Sequence, residues 1–177
     1  MRPLFIISSP HDTYSGYGSR SRDLIKAIVA LDKYNVRLLS QRWGSTVQGF
    51  CTDNPEWSFL KELVLPNNQL PKKPDIWCQI SVPNEFQPIG TFSLGITAGI
   101  ETTICSPDSI EGINRMDMTL VSSEHAKKVF ETSKFEKRNK MTNALEGVNE
   151  LQKPIDVLFE GVNLDVYKTI ESKEFKN

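Results

Sequence analysis

Cysteine and histidine are scarce in this 177-residue chain, with three of the first and two of the second. Cys51, Cys78 and Cys105 are odd in number, lie far apart and form no C-x-x-C pair, so neither a zinc knuckle nor a thiol redox motif is expected and no metal site is assigned. An excess of one charge is also missing. The 21 basic residues stand against 22 acidic ones for a net charge of −1, without the electrostatic footprint that nucleic-acid binding requires. Long hydrophobic runs are absent as well. The opening run Leu4-Phe5-Ile6-Ile7 stops at Ser8-Ser9-Pro10, too short for the apolar region of a signal peptide or for a transmembrane segment. No internal repeat stands out. What is present is 38% apolar and 24% charged residues, enough for one proper core with room for at most a second small lobe. A soluble, cytoplasmic protein is the expectation.

In chain order the apolar runs alternate with helical patterns. Leu4 to Ile7 has the continuous hydrophobicity of a central parallel strand. A loop follows to Gly18, and Ser19 or Ser21 can cap a helix carrying Leu24, Ile28 and Leu31 on one face. Asn35 reads as the stop before a strand from Val36 to Ser40, which completes a βαβ unit with an expected right-handed crossover. The middle is less regular: a polar loop from Gln41 to Asn54, a short helix from Glu56 to Leu65, then a strand from Asp75 to Ile80. The run Thr91 to Ile96 is another buried strand. Ser106-Pro107-Asp108 is a helix start, Asp117 to Val121 a strand, and Ser122 or Ser123 caps a helix whose apolar side is Ala126, Val129 and Phe130. Thr132 to Lys153 is polar and reads as an insertion or a helix-loop hairpin, and Ile155 to Phe159 as a last strand. These elements predict an α/β fold, a Rossmann-like and mostly parallel sheet flanked by helices.

Candidate chemistry gathers where strands end. In open α/β sheets ligands bind outside the carboxyl ends of the strands. Gly95-Ile96-Thr97-Ala98-Gly99-Ile100-Glu101 carries a strand into a small-residue turn that delivers one acid, Glu101, to such an end. Glu85, after the strand ending at Ile80, can face the same cleft. An ordinary solvated loop acid is the competing reading for each. Gly16 and Gly18, just ahead of a helix, can turn backbone N–H groups toward a phosphate or carboxylate. The dinucleotide fingerprint is incomplete, there is no P-loop lysine, and the acid that would hold a ribose some twenty residues on is not evident, so no cofactor is expected. Arg20 and Arg22 can pair with anions or lie solvated on the surface. His125, near a helix start, has either a rim position or a role at the site. Between Lys127 and Lys140 six basic residues face two acids, either a solvated face or a patch for an anionic surface.

The ordered set Ser15-Gly16-Tyr17-Gly18, Ser21-Arg22-Asp23-Leu24, Gly95 to Thr103, Glu111 to Asp117, Val121 to Phe130 and Phe159-Glu160-Gly161-Val162-Asn163 resembles the N-terminal half of a GT-B glycosyltransferase. The nearest group is the family-four-like enzymes, including those of phages. The resemblance implies that residues 1–163 are a Rossmann-like acceptor-side domain and 164–177 the crossover toward a donor-binding domain that this chain does not include. It also implies as partners a nucleotide-sugar donor, an unidentified acceptor and a C-terminal half, supplied in trans or by a longer parent. Within that frame Glu101 is the candidate catalytic group, and Gly16, Tyr17, Gly18, Glu85, Thr97, Gly99 and His125 are the candidate substrate-binding residues. The family's usual His-Asp signature does not stand here. The competing readings are a catalytically silent sugar-, nucleotide- or partner-binding module, and a nucleotide-binding Rossmann enzyme of another kind.

Overall fold

The computed structural model describes residues 2–164, 167 and 168. The chain runs β1 (Leu4–Ser9), α1 (Gly16–Ala30), β2 (Asn35–Ser40), α2 (Phe50–Asp53), α3 (Leu60–Leu63), β3 (Ile76–Ile80), β4 (Phe92–Ile96), α4 (Pro107–Arg115), β5 (Met118–Val121), α5 (Glu124–Thr132), β6 (Phe135–Arg138), β7 (Leu145–Asn149) and β8 (Ile155–Val157). Six strands form one sheet in the order β2-β1-β3-β4-β5-β8, and every neighbouring pair in it is parallel. The expected α/β, Rossmann-like architecture is therefore the observed one.

A parallel sheet covered on both faces needs strands that are apolar on both sides, and β1 meets that need residue by residue. Leu4 and Ile6 enter one core with Trp77, Val121 and Ile155 of the sheet and with Ile110, Ile113, Val129 and Phe130 of α4 and α5. Phe5 and Ile7 enter the other with Leu38, Cys78, Ile80 and Ile96, closed by Ile25 of α1 and by Cys51 and Leu60. At about 25 cal/mol per Å² of apolar surface buried, such side chains each contribute roughly 1.5–3 kcal/mol, which is why an all-apolar run is read as a central strand. On the first face Gly95 leaves the space that the Phe86 ring fills, since a Cβ there would stand 2.5 Å from Phe86 Cε2.

Several local expectations are corrected. The first helix starts earlier than Ser19 or Ser21: Ser15 is its N-cap, its hydroxyl accepting from the Gly18 N–H, so Gly16 and Gly18 belong to the first helical turn. Its buried face centres on Gly18, Ser21, Arg22 and Ile25 rather than on Leu31, which is exposed. Asn35 opens β2 instead of closing the helix. The polar stretch after Thr132 is a two-stranded antiparallel hairpin, β6 with β7, laid beside α4. Its basic residues are largely neutralised at the surface: Lys127 pairs with Asp156, Lys134 with Glu150, Lys137 with Glu111 and Arg138 with Glu136. That leaves little of the patch for an anionic surface. The caps at Ser106 with Pro107 and at Ser123 stand where the sequence placed them. The tail assigned to 164–177 lies, apart from 164, 167 and 168, outside the described residues.

Candidate functional site

A cavity of about 230 Å³ opens at the carboxyl ends of β3 and β4, lined by Gly16, Tyr17 and Arg20 of α1, Ile80, Ile96, Thr97 and Ala98 of the sheet ends, Trp43 and Glu160. Tyr17 is its keystone. The phenol oxygen accepts from the Ala98 N–H at 3.1 Å and shares a hydrogen bond of 3.0 Å with Thr97 Oγ1, which ties the first turn of α1 to the end of β4 across the mouth of the sheet. The Tyr17 ring stacks on Trp43 with centroids 4.2 Å apart and planes 28° from parallel. Trp43 comes from the loop between β2 and α2, which is held over the site by a β-bridge between Thr13 and Gln48 and by the Tyr14 N–H donating to Val47 O.

The far wall is the segment that leaves β8. Arg20 Nη2 donates to Leu158 O at 2.5 Å and Nη1 to Phe159 O at 3.2 Å, and Nε lies 3.8 Å from Glu160 Oε1. That guanidinium clasps the segment from 158 to 160 against α1, and it is 14% exposed. Beyond it a wider groove of about 650 Å³ runs between α1 and residues 158–163, sharing Gly16, Arg20 and Glu160 with the cavity.

Of the residues singled out from sequence, Gly16, Tyr17 and Thr97 line this cavity together. Gly16 is in the helical turn without a positive φ, and a Cβ built on it meets nothing within 4 Å, so the position is open toward the site. Gly18 has a packing role: a Cβ there would stand 2.4 Å from Thr13 O, and its N–H is already taken by Ser15. Gly99 has φ +99°, where L side chains are strained, and it passes within 2.4 Å, as Cβ, of Ala126 Cβ, so it turns the chain over the start of α5. Glu85 receives a short hydrogen bond from Ser81 Oγ in its own turn. Glu101 is exposed on the loop before Cys105, and His125 Nε2 lies 3.3 Å from Thr102 O; none of Glu85, Gly99, Glu101 or His125 lines the cavity. Besides Ile80, Ile96 and Ala98 at the strand ends, Trp43, Arg20 and Glu160 line the cavity without having been assigned to the site from sequence. An aromatic in a polar, glycine-containing loop was the one available signal for Trp43.

Arg22 is no anion ligand. It is 4% exposed, its Nη1 donates to His11 O at 2.8 Å and Thr13 O at 2.9 Å, and its guanidinium lies 3.5 Å from the centroid of the Phe50 ring. It thereby fixes the loop that precedes Ser15. Asp12 supports the same loop, its carboxylate accepting from Cys51 N at 2.8 Å and Gly49 N at 3.2 Å. Burial pushes the Cys51 thiol up to about 11 and Cys78 up to about 12, so both stay protonated and unreactive at neutral pH. His11 is 2% exposed, between Ser9 Oγ at 3.4 Å and Ser40 Oγ at 3.5 Å, and burial holds its pKa below the usual 6.5. Among the described residues no group of three or more His, Cys, Asp or Glu could hold a metal ion, and no helix is long and apolar enough to cross a membrane. In comparisons with known proteins, no family model, no curated protein and no solved structure matches this chain.

Proposed function

We propose that this chain is the acceptor-side half of a GT-B-type glycosyltransferase, with the cavity under Tyr17 and Trp43 as its acceptor site and a donor-binding domain completing the reaction. The observation that carries the reading is that one cavity joins the first turn of α1, the carboxyl ends of β3 and β4, and the segment leaving β8. A two-domain transferase needs its acceptor site on the rim where the chain crosses to the second domain, because donor and acceptor must meet between the two sheets. Residues 158–160 lie on that rim and are clasped there by Arg20.

The division of labour follows from the lining. Tyr17, Trp43, Ile80 and Ile96 supply apolar wall, while Thr97 and Glu160 supply hydrogen-bonding groups at its edge. Glu160 is the acid that lines the cavity, and an ionised carboxylate accepts charge-assisted hydrogen bonds from acceptor hydroxyls. Positioning two substrates accounts for roughly 7–11 kcal/mol of a transfer barrier, and one face of a cleft cannot provide it. The purified chain should therefore give no transfer from radiolabelled nucleotide sugars, whereas a chimera with a GT-B donor domain joined after Leu164 should. Robust turnover by the chain alone contradicts the half-enzyme reading.

A further inference from the structure

The cavity's own chemistry narrows the ligand. Its walls combine two aliphatic side chains, Ile80 and Ile96, with the stacked rings of Tyr17 and Trp43, and its charged groups are Arg20 and Glu160. Arg20 is anchored, since its two terminal nitrogens donate to Leu158 O and Phe159 O and its Nε faces the Glu160 carboxylate. A phosphate or diphosphate placed here would have to pull that guanidinium off two carbonyls and sit beside a carboxylate. The Gly18 N–H, which a helix start would offer to an anion, is already bonded to Ser15 Oγ at 2.9 Å. The cavity therefore selects against anions.

A neutral ring with one apolar face and several hydroxyls has the complementary pattern. Aromatic side chains pair an apolar face with a polar edge, and here the polar edge is consumed internally, because the Tyr17 hydroxyl is bonded to Thr97 and Ala98. With the two rings stacked on each other, what each has left for a ligand is its other face and its edge. Glu160 can only accept hydrogen bonds while ionised, and sugar hydroxyls can only satisfy it by donating. We infer that this cavity binds a neutral pyranose ring of a glycoside acceptor, and that Trp43 is its specificity-determining residue, packing against the C–H face of the ring. The word acceptor rests on the function proposed above; the pyranose and the role of Trp43 rest on the cavity alone.

Saturation-transfer NMR on the full chain tests this with defined probes: the methyl α- and β-pyranosides of glucose, galactose and mannose, with uridine, adenosine and UDP beside them. At least one glycoside should receive saturation on its ring C–H protons. Its affinity should fall about fivefold or more in Trp43→Leu, which keeps apolar bulk without an aromatic face, and stay within about twofold in Trp43→Phe. Thermal melts of both variants check that the fold is retained, and Trp43→Phe carries the test if Trp43→Leu melts out. Binding by none of the glycosides overturns the inference, as does affinity indifferent to Trp43→Leu or a Trp43-dependent affinity for uridine, adenosine or UDP. The two proposals fail separately. A glycoside bound through Trp43 by a chain whose donor-domain chimera transfers nothing ends the transferase reading alone, and a nucleoside bound in its place ends the pyranose inference alone.

Discussion

At the level of single residues, two glycines, Gly95 within β4 and Gly16 at the start of α1, have opposite reasons for being glycine. Gly95 is required by packing, because a methyl group there meets the Phe86 ring at 2.5 Å within a filled core. Gly16 is free of that constraint, sits in a helical turn and faces the cavity. Gly16→Ala should leave the melting temperature unchanged or raise stability by roughly 0.5–1 kcal/mol, as replacing a helical glycine does, while weakening any ligand of the cavity. Gly95→Ala should cost about 1–3 kcal/mol by overpacking. Thermal melts of the two variants check both signs. His11 supplies a pH dependence. Its folded pKa lies below 6.5, so between that value and 6.5 the unfolded chain binds the extra proton and stability falls as the pH falls. Full stability from this group is present above 6.5. The imidazole lies between the Ser9 and Ser40 hydroxyls, Asp12 opposes the effect of burial without reversing it, and Arg22 adds to it. The melting temperature should fall as the pH is lowered below 6.5, and His11→Gln should flatten that slope. An unchanged slope in the variant would assign the loss to other groups.

Among the elements, the strands of the parallel sheet and two of the caps were legible in the sequence, and the first helix start and the β6–β7 hairpin were not. Leu4 to Ile7 is apolar at every position because both sheet faces are covered, and a run of that kind has few other readings. Ser106-Pro107 and Ser123-Glu124 carry the residue types that N-caps and first turns favour. Around α1, hydroxyls at Ser15, Ser19 and Ser21 compete for the cap, and only the space that Gly18 leaves for Thr13 decides for Ser15. The β6–β7 hairpin escaped because its outward residues are charged and it is stabilised by ion pairs and by Asn149 donating to Pro107 O, not by an alternating apolar stripe. Of the site, Gly16, Tyr17 and Thr97 were visible as small or hydroxyl-bearing residues at strand ends. Trp43 and Glu160 were not, since one arrives on a loop and the other returns from beyond the last strand, contacts that no local pattern encodes. The Arg20 clasp gives this scale its own prediction. Arg20→Ala removes three contacts from residues 158–160 and should speed hydrogen exchange locally in that segment, with little change in global melting. Exchange unaltered at residues 158–160 would mean that the segment is held by other contacts.

For the whole molecule, the sheet order β2-β1-β3-β4-β5-β8 brings the ends of the central strands β3 and β4, the start of α1 and the chain's exit from β8 to one rim. The proposed function puts substrate at this rim and at no other face. Glu85 and Glu101, on turns after β3 and β4, and His125, in the first turn of α5, offer the competing location. Amide chemical-shift mapping of the ¹⁵N-labelled chain, titrated with the glycoside that binds most tightly, separates the two. The amide of Ala98, which donates to the Tyr17 hydroxyl, should shift together with those of Gly16, Tyr17, Trp43 and Thr97, while β6 and β7 stay silent. Shifts confined to the residues around Glu85, Glu101 and His125, with Ala98 and Trp43 unmoved, would contradict it.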